Sequence, residues 1–142
     1  MTLTVHITQP DDHVTTATVR QHTIHIDKPT DQGGTDAGPK ARELFLMAVG
    51  SCFMDNLRTA IQVRERQISN VRVEVMGHET LHPRRITGIE LHIRANYEDE
   101  AEMLRLVTMA ERSCTLTNTL RHSVDITVSV ARLQQASQLN GA

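Results

Sequence analysis

The sequence predicts an α+β fold, with largely antiparallel sheets around one long buried helix. Three observations point that way. Alternating strand-like stretches come in runs, before residue 28 and again over residues 71–93, instead of interleaving singly with helices. The most apolar run, Leu44 to Met54, has helical length and no polar face in its first half. A last alternating stretch, "VDITVSVARL", follows two helical segments.

The elements take their order from local signals. "TLTVHIT" puts Leu3, Val5 and Ile7 on one strand face, and "TATVRQHTIHID" repeats the pattern after the turn "QPDDH". Residues 28–39, "KPTDQGGTDAGP", hold three of the seven glycines and two of the four prolines, which predicts a mobile loop. A helix is expected from about Ala41 to Arg66, becoming amphipathic in "NLRTAIQVRERQ". Val71, Val73 and Val75, then Ile86, Ile89, Leu91 and Ile93, mark two strands, with a bulge expected near Gly88. "YEDEAEMLRLVTMAER" reads as a helix, acidic in its first turn and with Arg112 in its last. A short helix from about Cys114 and the final strand complete the order βββ-α-ββ-αα-β, and residues 134–142 read as a frayed tail.

The 142 residues are read as a single domain, large enough to bury roughly 68–70% of the unfolded surface. One sheet covers only one side of a helix that is apolar all round, so an intertwined homodimer is expected. A net charge of −2 with scattered basic pairs, and only three aromatic residues, argue against nucleic acid as partner. The apolar run is shorter than the roughly 20 residues a bilayer needs, and no export signal precedes it. A cytoplasmic protein without membrane partner is the expectation.

The chain has two cysteines, Cys52 in "AVGSCFM" and Cys114 in "ERSCTLTNTL". A free cysteine is most often a small core residue, which is the ordinary account of Cys52. Cys114 opens a helix after Ser113, a candidate N-cap, with Arg112 and Arg121 nearby. Local electrostatics therefore favours Cys114 as the better thiolate.

Together, "GPKARELFLMAVGSCF" and "AERSCTLTNTL" resemble the motifs of the OsmC/Ohr superfamily, the osmotically inducible and organic-hydroperoxide-resistance proteins. The resemblance runs over most of the chain. It implies an OsmC/Ohr-like intertwined homodimer and a cysteine-based peroxidase acting on small organic hydroperoxides. Cys52 would be the peroxidatic thiolate and Cys114 the resolving thiol, with an external dithiol, such as a lipoylated protein, as reductant. No cofactor and no metal is implied.

The chain departs from the peroxidase pattern in three places. Those enzymes carry a glutamate ten residues before the first cysteine, where this chain has Arg42; Glu43 stands nine residues before it, as in the general OsmC-like redox proteins. Nine residues of regular helix turn through about 900°, so Glu43 either serves the site through a kink or partner, or caps the helix start. The activating arginine is Arg20, Arg42 or another arginine of the chain, and Thr115 replaces the proline that follows the second cysteine. These departures keep a second account open, a non-enzymatic redox sensor or small apolar ligand-binding protein. The eight histidines lack metal-ligand spacing; His22 and His25, for example, fall on opposite strand faces.

Overall fold

In the computed structural model, residues 1–133 are described, and the predicted tail lies outside them. The chain divides into two compact units, residues 1–45 and the remainder from residue 46.

In the first unit, β1 (His6–Thr8), β2 (Thr15–Val19) and β3 (His22–Ile26) pair antiparallel in that order. β1 is shorter than its alternating sequence because only His6, Ile7 and Thr8 find partners on β2. The Asp11 carboxylate accepts the N–H groups of His13 and Val14 at 2.8 and 2.7 Å, which sets the turn into β2.

After β3 the chain is organised by Asp27. Its carboxylate is only 4% exposed and accepts from the N–H groups of Lys28, Thr35 and Ala37 and from the Thr35 hydroxyl. Residues 28–39 are therefore a loop with its own internal bonds and one 3-10 turn, Thr30–Gln32. Gly38 lies so close to β3 that a Cβ there would sit 1.9 Å from the His25 carbonyl oxygen. The Thr35 hydroxyl first, then the Ala37 N–H, hold the Asp27 carboxyl far below the usual carboxylate range. A depressed native pKa stabilises the fold above the unfolded value, about 4, and that stabilisation fades as acid approaches the native value. Asp27→Asn is accordingly expected to lower the urea midpoint at pH 7. The gap from wild type should narrow at pH 3, as paired denaturation curves would reveal.

α1 (Ala41–Val63) starts in this unit. The Glu43 carboxylate reaches back to the Lys40 N–H at 2.8 Å, and the Leu44 N–H donates to the Lys40 carbonyl at 3.0 Å.

The second unit contains the rest of α1, β4 (Ser69–Leu81), β5 (Arg84–Asn96), α2 (Glu100–Ser113), α3 (Thr115–Leu120) and β6 (Asp125–Arg132). β4 and β5 form a long antiparallel hairpin, and β6 adds parallel to β5 through the α2–α3 crossover, so this sheet is mixed. The expected bulge is present: Glu79 pairs with Ile86 and His78 with Gly88, leaving Thr87 unmatched.

Central β5 buries Ile89, Leu91, Ile93 and Ala95 in strict alternation. Against them lie Met103, Leu106, Val107 and Ala110 of α2, at helical spacing, and Val49, Phe53, Leu57 and Ala60 of α1. Asp99 caps α2 by accepting the Glu102 N–H at 3.2 Å. α1 comes so close to β4 that a Cβ on Gly50 would lie 2.7 Å from a Val75 methyl. Phe53 is fully buried at this junction, and Phe53→Ala should cost about 3–5 kcal/mol in chemical denaturation.

The expectation that α1 is buried on all sides does not hold in the single chain. Phe45 is 37% and Met47 56% exposed, and burial follows one stripe through Val49, Phe53 and Leu57. The expected extension to Arg66 also stops short, at Val63. By length and hydropathy alone α1 passes as a membrane span, with 23 residues and a mean hydropathy of 1.2 over an 18-residue stretch. Its buried stripe instead packs in a protein core with the sheet and α2.

Candidate functional site: the Cys52–Cys114 thiol pair

Both cysteines lie in the second unit, and the fold brings them together. Cys52 sits at the middle of α1, partly buried against the core. Cys114 lies at the joint between α2 and α3, fully buried in the core cluster against which Cys52 packs, and the Cys52 side chain is close enough to perturb its thiol. Both are free thiols.

The joint explains how Cys114 is placed. Cys114 is at once the C-cap of α2 and the N-cap of α3, with φ −74° and ψ 114°. Its N–H donates to the Glu111 carbonyl at 3.3 Å, and its carbonyl accepts the Asn118 N–H at 3.0 Å. The buried Thr117 hydroxyl bonds the Glu111 carbonyl at 3.0 Å and the Cys114 carbonyl at 3.1 Å, and the Asn118 amide bonds the Arg112 carbonyl at 2.9 Å. Ser113, the expected cap, is instead the last residue of α2.

Burial works against the local electrostatics that favoured Cys114 as a thiolate. It pushes the Cys114 thiol above its ordinary value of 9.0, against the opposing N–H of Thr117, and the neighbouring Cys52 side chain adds to the rise. The α3 helix is only six residues long and makes no side-chain cap bond to Cys114. Arg112 is exposed, and Arg121 is engaged with Glu111 at 3.4 Å. Cys114 therefore keeps its proton, and Cys52 is the more exposed of the two residues.

The three supporting residues named from sequence belong to the first unit. Arg20 is not a strand residue but an exposed turn residue between β2 and β3, with φ +51°. Arg42 is half-buried in the first turn of α1, and Glu43 caps that turn, one of the two roles the sequence left open for it. Sequence reasoning passed over Asn56, whose amide donates to the Cys52 carbonyl at 2.8 Å and lies 4.0 Å from its sulfur. Its i+4 spacing from Cys52 was the available signal.

Among the described residues, no group of three or more His, Cys, Asp or Glu is arranged to hold a metal ion. His78 instead pairs with Glu90 at 2.6 Å, and the Ser129 hydroxyl meets His92 Nδ1 at 3.0 Å.

A model of the OsmC-like protein family matches residues 33–129, a stretch that contains both cysteines. The chain belongs to that family. Solved structures of OsmC-like and related proteins share its fold. An OsmC-like protein of Mycoplasma pneumoniae superposes with a TM-score of 0.83 at 18% identity, over 93% of this chain and 97% of that one. A Legionella pneumophila organic hydroperoxide resistance protein gives a TM-score of 0.73 at 20% identity, over 92% and 97%. The organic hydroperoxide resistance protein OhrB of Bacillus subtilis gives 0.68 at 19% identity, over 92% and 98%. No curated protein matches the chain. The OsmC-like fold accounts for the α+β architecture, including the parallel β5–β6 pair that the largely antiparallel expectation left out.

Proposed function

We propose that this OsmC-like protein is a cytoplasmic, thiol-dependent peroxidase of organic hydroperoxides, with Cys52 as peroxidatic sulfur and Cys114 as resolving thiol. The observation that carries the proposal is that one core brings together a partly exposed Cys52 and a fully buried Cys114, close enough for the first to perturb the second. A small hydroperoxide reaches the first sulfur, and the second stands ready behind it.

The Cys52 thiolate attacks the terminal, hydrogen-bearing peroxide oxygen. The S–O bond forms, the O–O bond breaks, and the alkoxide leaves and takes a proton to become the alcohol. Cys114 then loses its proton and attacks the Cys52 sulfur. The S–S bond forms, the S–O bond breaks, and the departing hydroxide takes a proton to become water. An external dithiol, a lipoylated protein being one candidate, returns both thiols and leaves as its own disulfide. No metal or bound cofactor takes part.

A homodimer is part of the proposal. Phe45 and Met47 on α1, and Leu3, Val5 and Ile7 around β1, are exposed apolar side chains in the single chain. Sedimentation should give twice the chain mass. The ligand-binding account draws support from a largely apolar, open pocket of about 390 Å³ beside α1, where Met54, Leu57, Ile61, Ile68 and Val71 are joined by Arg58 and Gln62.

Turnover separates the two. Reduced protein supplied with dihydrolipoamide should consume many equivalents of cumene hydroperoxide, and faster than hydrogen peroxide. Saturable binding of an apolar ligand with no hydroperoxide loss over hours would favour the binding account.

A further inference from the structure

We propose that Asn56 positions the Cys52 sulfur and stabilises its anionic forms, thiolate and sulfenate, through its side-chain amide. One N–H of that amide is fixed on the Cys52 carbonyl at 2.8 Å, which sets the orientation of the group. Nδ2 then stands 4.0 Å from Sγ, with a second N–H to donate. The amide is half-buried, where a donor to an anion weighs more than in open water. Asparagine is a poor helix former, and an interior position on α1 gives it no cap to make. Its bonds to Cys52 supply a reason for its presence there.

Two groups thus bear on the reactive sulfur within this unit, the Asn56 amide as a donor and the neighbouring Cys114 thiol. Their parts differ. The thiol gives up its proton when it becomes the resolving nucleophile, whereas the amide persists through every state of Cys52. An oxygen added to that sulfur stays within reach of the same N–H, so the amide bonds the sulfenate after the thiolate is gone. The sulfenate half of the inference rests on the peroxidase reading; the thiolate half needs only a reactive Cys52.

The test uses the full chain with Cys114→Ser, so that Cys52 is the sole thiol. Iodoacetamide alkylation is followed from pH 5 to pH 10 for Asn56, Asn56→Ala and the isosteric Asn56→Asp. Alanine should move the alkylation midpoint up by about half a pH unit, and aspartate further, because it replaces the donor with a negative acceptor. Circular dichroism and thermal midpoints confirm that each variant is folded. Unmoved midpoints in folded variants would overturn the proposal and leave Asn56 a helix-surface bond to the Cys52 carbonyl. Cumene hydroperoxide reactivity is read separately. A Cys52 that alkylates but ignores the peroxide defeats the peroxidase reading, and a shifted midpoint in that same protein still upholds the amide role.

Discussion

Cys52→Ser is expected to abolish catalytic hydroperoxide consumption, lowering the rate by a factor of about a thousand or more. A serine hydroxyl stays protonated where a thiol ionises, and it is a far weaker nucleophile toward the peroxide oxygen. The substitution removes one sulfur at a partly exposed position in α1, so the helix and its buried stripe should persist and stability should change little. Cys114→Ser has a different signature. Cys52 still reacts, one equivalent of hydroperoxide is consumed, and the protein stops at a sulfenic acid that dimedone traps. Steady-state peroxide loss with and without dithiol distinguishes the two variants, since only the second gives a single-turnover burst.

The second large effect is on pH. Resolution needs the Cys114 thiolate, and burial, with the neighbouring Cys52, raises that thiol above 9.0. Below a raised pKa the thiol form predominates, and the thiolate fraction grows about tenfold for each pH unit. Disulfide closure after a stoichiometric peroxide pulse should therefore accelerate about a hundredfold between pH 7 and pH 9. It should show no plateau near neutrality. Rapid quenching with a thiol-alkylating reagent at each pH measures this, and dimedone capture should be greatest at the acid end. If Cys114 were the helix-end thiolate that local electrostatics favours, closure would instead level off near pH 7.

That contrast marks what the sequence could and could not convey. Strand alternation over Val71 to Ile93, the bulge at Thr87 and the stripe of α2 were legible because each depends on neighbours a few residues away. The ionisation of Cys114 was not. Helix position is local, whereas desolvation depends on packing at the α2–α3 joint, and packing won. The apolar first half of α1 was legible as a surface to be covered, and in the single chain Phe45 and Met47 are the part of it that stays exposed. Ser113 looked like a cap because it precedes a turn of helix, but the backbone bends one residue later. Both cysteines were legible as a pair through the two motifs taken together. Asn56 was open to discovery by i+4 spacing and was overlooked because asparagine there matched no motif.

The most direct test of the account is the intact mass of the reduced protein after one equivalent of cumene hydroperoxide, with peptide mapping of the product. The account predicts loss of two hydrogens per chain and one Cys52–Cys114 peptide within a single chain. An unchanged mass with both thiols still titratable, or oxidation confined to Cys114, would contradict it.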